Sequence, residues 1–136
     1  MLTKGQFEMN GTIRIVFDTS AVIKLLNNQY NLPSLGIHVD EAQLFTSVMT
    51  RMELLSKPQI SDAEKQDLQK FLDKVSVMPI AEEIEQKAIE LRRSTKLKLP
   101  DCIIAATSIV LDAVLLTNDH HLLNLSWQNY KPQNIY

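Results

Sequence analysis

The sequence has 136 residues and a formal net charge of −2, with 45% hydrophobic and 22% charged residues. This length suits one globular domain, and this composition excludes wholesale disorder. A charge so close to neutral argues against a protein that coats nucleic acid through a general basic field. Three scattered glycines cannot build a phosphate-binding loop or a dinucleotide turn. A single cysteine, Cys102, excludes a disulfide framework, and its apolar surroundings predict a buried structural thiol.

Two apolar stretches are long enough to be compared with a signal peptide and with a membrane span. The stretch near the N-terminus is short and carries Arg14, which is not typical of a signal peptide. The tract at residues 102–117 contains Asp112 and is shorter than the roughly 18–20 residues that a membrane span needs. We therefore expect a cytoplasmic protein without a membrane segment. Residues 1–12 are predicted to be a polar N-terminal extension, and residues 13–136 a single domain.

The first half of the chain predicts two strand–helix units. Residues 13–17 are apolar and mostly β-branched, which is typical of a buried strand. Asp18 follows as a helix N-cap type, and an apolar helix comes after it. Residues 27–40 contain Pro33 and Gly36 and predict a loop. A short strand is expected at 44–46, and after it a helix capped by Ser47 that continues to about Lys57.

The second half repeats the alternation of helices and strands. The elements predicted there are, in chain order, a helix from the capping box Ser61–Glu64, a strand at 75–80, a helix beginning near Glu82, a helix opened by Leu99 and Pro100, a strand at 113–117, a helical turn at 122–123 and an edge strand at 134–136. Pro79 predicts that the strand at 75–80 lies at a sheet edge or ends there. Strands that alternate with helices are typical of a parallel sheet covered on both faces. The expected fold class is α/β with four to five parallel strands.

Four acidic residues stand where such a fold binds ligands, near the carboxyl ends of its strands. Asp18 directly follows the first strand, Asp119 follows the fourth, Asp101 opens the helix that leads into the fourth, and Glu53 lies in the helix after the second. Each also has a structural explanation: a helix cap for Asp18, a turn for Asp119, a favourable helix dipole for Asp101 and a solvated face for Glu53.

Taken together, the four acids indicate a cation site. Carboxylates gathered at one edge raise each other's pKa unless a cation neutralises them. Oxygen ligands without cysteine or suitably spaced histidine select hard cations, Mg²⁺ or Mn²⁺. Such ions commonly assist the hydrolysis of phosphodiester bonds.

The segments around these acids resemble a known family. They are Phe17-Asp18-Thr19-Ser20, Met52-Glu53-Leu54, Leu99-Pro100-Asp101 before an Ile/Ala-rich helix, and Leu116-Thr117-Asn118-Asp119. Their order and spacing, from about residue 13 to residue 125, resemble the PIN-domain ribonucleases and most closely the VapC-type toxins of toxin–antitoxin pairs.

The resemblance implies a PIN-like, Rossmann-like sheet and a Mg²⁺- or Mn²⁺-dependent endoribonuclease. It implies that Asp18, Glu53, Asp101 and Asp119 are the catalytic acids and that Asp18, Asp101 and Asp119 hold the metal. The implied partners are an RNA substrate, a cognate antitoxin and a second copy of the chain in a homodimer.

Several other side chains have candidate roles. Ser20 and Thr117 are expected to orient carboxylates or water by hydrogen bonding. The basic run Arg92, Arg93, Lys96 and Lys98 is either a track for RNA phosphates or a solvated helix end. His120 and His121 predict an exposed turn rather than metal ligands. Trp127 and Tyr130 either stack on bases or anchor the C-terminal tail, and we expect the tail anchor.

Three other functions compete with a ribonuclease. A catalytically silent PIN-like module would bind RNA or protein without cutting, and the four acids argue against it. A receiver-type phosphotransfer domain needs adjacent acids after the first strand, where Asp18 stands alone, and an acid at the end of the third. A dehalogenase-like phosphatase needs a second aspartate at the position that Ser20 occupies.

Overall fold

Five short strands form one parallel sheet in a computed structural model that describes residues 12–136. The predicted N-terminal extension lies outside these residues, except for residue 12. The strands are β1 (Ile13–Phe17), β2 (Ala42–Ser47), β3 (Ser76–Met78), β4 (Val114–Thr117) and β5 (Lys131–Asn134). Their order across the sheet is β3-β2-β1-β4-β5, and each neighbouring pair is parallel. The predicted α/β fold class is confirmed.

Six α-helices connect and cover the strands of the described region. They are α1 (Thr19–Leu26), α2 (Val48–Leu55), α3 (Asp62–Leu72), α4 (Glu82–Ser94), α5 (Leu99–Val110) and α6 (His120–Leu123). Two single-turn 3₁₀ helices, Pro33–Leu35 and Val39–Glu41, interrupt the stretch predicted as a loop. Within residues 12–136, no helix is long and apolar enough to cross a membrane.

Two hydrophobic cores lie on opposite faces of the sheet. In β1, Ile15 and Phe17 belong to the core shared with α1 and α3, whereas Val16 belongs to the core shared with α4 and α5. Because side chains alternate along a strand, a fully buried strand must be apolar at every position, as β1 largely is. The Cys102 thiol is buried in the second core, as the sequence predicts.

The topology creates a crevice between β1 and β4. The chain moves from β1 outward to β2 and β3, and then returns to place β4 on the other side of β1. At such a reversal of strand order the connections leave in opposite directions, and a crevice opens at the carboxyl ends of the two strands. Asp18 and Asp119 follow these two strands, so the fold places both acids beside the crevice.

The last strand differs from its prediction. The sequence predicts an edge strand at residues 134–136, whereas β5 spans Lys131–Asn134 and Ile135 is buried in the first core. An edge strand is paired on one side only, so it accepts polar residues and a proline that lacks an N–H. Pro132 therefore fits β5 although its polar sequence carries no strand pattern. The prediction from Pro79 is confirmed in both its forms, because β3 lies at the edge of the sheet and ends at Met78, which makes it shorter than the predicted 75–80.

Candidate active site

Asp18 is a buried carboxylate at the junction of β1 and α1. It is the N-cap of α1, and its Oδ1 accepts the Ala21 N–H at 2.7 Å. The Ser20 hydroxyl donates to the same carboxylate, 2.8 Å from Oδ1, and the Thr117 hydroxyl donates to Oδ2 at 2.5 Å. The residue is 3% exposed. Burial raises the pKa of the Asp18 carboxyl, and the donors from Thr117, Ala21 and Ser20 oppose that rise.

The turn after β4 fixes the direction of both hydroxyl donors. The backbone N–H of Asn118 donates to Ser20 Oγ, and the N–H of Asp119 donates to Thr117 Oγ1, each at 3.0 Å. A hydroxyl that accepts from the backbone keeps its own proton for another acceptor. Ser20 and Thr117 therefore act as donors to Asp18, which holds the carboxylate in one orientation.

Asp101 lies close enough to the other three acids for their charges to affect its pKa. It is the third residue of α5 and is half-buried. A helix dipole favours an acid in this turn. Burial nevertheless raises the pKa of the Asp101 carboxyl, and the charges of Asp119, Glu53 and Asp18 raise it further. The four predicted acids therefore lie within range of mutual repulsion at one edge of the sheet, as expected from the parallel topology.

Glu53 is exposed on α2 but its carboxylate is held in place. The Thr19 hydroxyl, in the first turn of α1, donates to Glu53 Oε1 at 2.6 Å. No other hydrogen bond to this carboxylate is formed within residues 12–136, so Oε2 remains available. Sequence reasoning missed this contact, because Thr19 is also an ordinary helix-start residue. Its only signal is a hydroxyl directly after Asp18.

Asp119 combines a structural role with a position at the site. Its Oδ1 caps α6 by accepting the N–H groups of His121 and Leu122 at 2.8 and 3.2 Å. Its charge is among those that raise the pKa of Asp101 and Asp18. The sequence offers a turn role and a site role for Asp119 as alternatives. In the structure the same side chain caps a helix and lies near the other acids.

The donor chemistry of the four acids fits a hard divalent cation. All available ligands are carboxylate oxygens, and their mutual repulsion is the kind that a bound cation relieves. As they stand, no three acidic, histidine or cysteine side chains within residues 12–136 are grouped tightly enough to hold a metal ion. Asp18, Glu53 and Asp119 each accept a hydrogen bond, whereas Asp101 accepts none within residues 12–136, so the Asp101 side chain is the one that can move toward a cation.

The predicted basic run divides at the end of α4. Arg92 and Arg93 lie in the last turn of that helix, whereas Lys96 and Lys98 lie in the connection to α5. The helix therefore does not continue far enough to place Arg93 and Lys96 on one face. All four side chains are exposed, and none forms an ion pair with a residue in the described part of the chain.

The remaining candidates take structural roles. His120 and His121 are exposed at the start of α6, as expected of a turn. Tyr130 is buried, and its hydroxyl donates to the Leu122 carbonyl at 2.6 Å, which confirms that it anchors the C-terminal tail. Trp127 packs partly buried against the second core.

The fold and the site together define a class: an α/β protein with an acidic site at the strand-order reversal of a parallel sheet. The PIN domain family model matches residues 15–128. The chain therefore belongs to the PIN domain family, whose members are generally nucleases. The PIN-like fold and the family resemblance predicted from the four acidic segments are confirmed. A comparison with curated proteins gave no match.

Solved structures share this fold at low sequence identity. VapBC2 from Rickettsia felis, bound to a DNA fragment from its promoter, is 18% identical with a TM-score of 0.76, over 90% of this chain and 98% of that one. A toxin–antitoxin complex from Klebsiella pneumoniae is 24% identical with a TM-score of 0.67, over 86% and 98%. VapBC-5 from Mycobacterium tuberculosis is 20% identical with a TM-score of 0.65, over 90% and 97%.

Replacing Thr117 by Val should reduce the free energy of unfolding by about 1–3 kcal/mol, because the buried Asp18 carboxylate loses a donor and the Asp119 N–H loses its acceptor. Valine favours strands, so the loss cannot come from the backbone of β4. The control is Thr107→Val on α5, whose hydroxyl donates only to the Ile103 carbonyl of the same helix. Urea unfolding measures both variants, and equal losses would contradict a special role for the Thr117 donor.

Replacing Asp101 by Asn should raise the melting temperature at pH 7.5 in the presence of a chelator. The raised pKa of Asp101 means that the folded state disfavours its charge. That penalty is present above the folded-state pKa and disappears as the pH falls through it. The advantage of the variant over wild type should therefore shrink as the pH is lowered toward the ordinary pKa of an aspartate. Asp67→Asn on α3 is the control; a variant that melts below wild type at pH 7.5 would refute the prediction.

Proposed function

We propose that the protein is a Mg²⁺- or Mn²⁺-dependent endoribonuclease that acts as the toxin of a type II toxin–antitoxin pair. The proposal depends mainly on one observation: Asp18, Glu53 and Asp119 all lie close enough to Asp101 for their charges to raise its pKa, at the crevice of a PIN fold. The toxin assignment draws support from the structural neighbours, which are toxin–antitoxin complexes.

In this proposal Asp18, Asp101 and Asp119 hold the cation. When bound, the cation supplies charge neutralisation at the phosphate and lowers the pKa of a water molecule. Glu53 helps to bind the cation or positions the attacking water through its available Oε2. Ser20 and Thr117 keep the Asp18 oxygens in a fixed orientation, so the least mobile ligand sets the geometry for the others.

The basic run is the proposed binding surface for the RNA backbone. A pocket rich in carboxylates repels a polyanion, so cations beside it are needed to bring RNA close. Lys98 is the N-cap residue of α5, three residues before Asp101. The charge of Arg92 lowers the pKa of Cys102, against the larger effect of burial, which places this arginine near the same helix start. The positions of Lys98 and Arg92 near the start of the helix that carries Asp101 support this proposal.

A groove beside Glu53 supports an antitoxin as partner. It has a volume of about 430 Å³ and lies among α1, α2 and α3. Its apolar lining consists of Ile23, Leu26, Leu54, Ile60 and Leu68. An apolar segment of an antitoxin bound there would lie next to Thr19 and Glu53 and restrict access to the acids. The proposed homodimer draws support from Met52, Leu55 and Leu99, which are large apolar side chains exposed to solvent.

The rival functions find less support. The flavodoxin-like order of receiver domains places β3 beside β1, whereas here β4 occupies that position and β3 lies at the edge. The chain also lacks an acid at the end of β3, where Met78 and Pro79 stand. A silent RNA- or protein-binding module would gain nothing from the repulsion that raises the pKa of Asp101.

The first test is cleavage of RNA by the purified protein with and without divalent cation. We expect cleavage with Mg²⁺ or Mn²⁺, none with a chelator, and a loss of at least about 100-fold in Asp101→Asn, because a metal ligand is removed. Mn²⁺ should also raise the melting temperature of wild type more than that of Asp101→Asn, by ligand linkage. Cleavage that persists with the chelator would exclude the proposed chemistry, and absent cleavage with normal RNA binding would favour the silent module.

The second test changes Arg93 and Lys96 to Ala together. RNA affinity should fall, and the slope of log affinity against log salt should flatten by about 0.7 for each phosphate that the protein no longer neutralises. Single-turnover cleavage at saturating RNA should stay near wild type, because the acids are untouched. The matched control is Lys70→Ala with Lys74→Ala, which are exposed lysines at the end of α3 and before β3. If the two double variants have equal effects, the basic run has no specific role in RNA binding and is only a solvated helix end.

A further inference from the structure

Thr19 links α1 to the catalytic edge of α2 through its hydroxyl. Thr19 Oγ1 lies 2.6 Å from Glu53 Oε1 and 3.3 Å from Thr50 Oγ1. A hydroxyl has one proton, and the carboxylate is the stronger acceptor. With the Thr19 proton directed at Glu53, the buried Thr50 hydroxyl acts as donor to Thr19. The three side chains then form a chain of hydrogen bonds that ends at the Glu53 carboxylate.

This contact matters because Glu53 is otherwise unrestrained. The side chain is exposed, and no ion pair holds it within residues 12–136. A free glutamate samples many rotamers, whose ordering carries an entropic cost on binding. Asp18 accepts hydrogen bonds from three donors and Asp119 from two, whereas the Glu53 carboxylate accepts a single one within residues 12–136, so the Thr19 hydroxyl alone restrains it there.

We propose that Thr19 is a positioning residue that acts through Glu53; this inference rests on the proposed function. It donates to Oε1, leaves Oε2 without a hydrogen-bond partner in the described residues and so orders the carboxylate before a cation or a water molecule binds. Thr50, the third member of the chain, supports the Thr19 hydroxyl from the interior of the packed α1–α2 contact. Thr19 itself takes no part in the chemistry.

The test compares Mn²⁺ affinity in wild type, Thr19→Val, Thr19→Ser, Glu53→Gln and the double variant Thr19→Val/Glu53→Gln. Thr19→Val should weaken Mn²⁺ binding by about 10-fold, as expected for the loss of a partner that orients a ligand. Thr19→Ser keeps the hydroxyl and should bind within about a factor of two of wild type. The double variant should match Glu53→Gln, because Thr19 has no other route to the cation.

Stability and kinetics separate this role from a general structural effect. Thr107→Val serves as the matched loss of a threonine hydroxyl away from the site, and melting temperatures show whether each variant folds. In the RNA assay, Thr19→Val should lower kcat and leave the KM for RNA unchanged, because the basic run is intact.

Three results would overturn the proposal. These are wild-type Mn²⁺ affinity in Thr19→Val, failure of Thr19→Ser to restore it, and an effect of Thr19→Val that persists in the Glu53→Gln background. A wild-type protein that binds no Mn²⁺ would also overturn it. If wild type binds Mn²⁺ but cuts no RNA, the proposed function fails, and the Mn²⁺ affinities still decide the role of Thr19.

Discussion

The Asp18 carboxylate is the interaction on which the rest of the site depends. A lone ionised group so deeply buried would be strongly unfavourable, and hydrogen bonds must replace the water it has lost. Two donors come from the start of α1 and the third comes from Thr117, 99 residues further along the chain. The charge is therefore satisfied only when β1 and β4 are side by side. The complete site therefore requires the pairing of β1 with β4.

The other acids are less well compensated. Asp18 has three donors, whereas Asp101 lies half-buried among three like charges. This arrangement costs stability in the absence of a cation, and evolved sites commonly keep such a local conflict where binding requires it. The fold can bear the conflict because the two apolar cores on either side of the sheet are independent of it.

The sequence predicts those features that depend on local patterns. The prediction of β1 is correct to the residue, because an apolar β-branched run is bounded by Gly11 and Asp18. The four acids can be found because each follows a strand or lies near the start of a helix. Their convergence follows from the parallel topology, which the alternation of strands and helices indicates.

The features that escape prediction depend on tertiary packing. Thr19 and Glu53 are 34 residues apart on different helices, and only the packing of α1 against α2 makes them partners. The end of α4 at Ser94 also escapes prediction, because Thr95 turns to an extended conformation and its hydroxyl caps the Leu91 carbonyl at 2.7 Å. A side chain that competes for a backbone carbonyl leaves no periodic signal in the sequence.

The two edges of the sheet have a consequence for how the protein associates. An exposed edge strand is a template onto which another chain can add a strand, with aggregation as the usual result. Here β3 has only three residues and is followed by Pro79, and β5 contains Pro132. Both edges therefore resist strand addition, even though the sheet is open on each side. Stable association is left to the helical surfaces, where side chains rather than backbone groups select the partner.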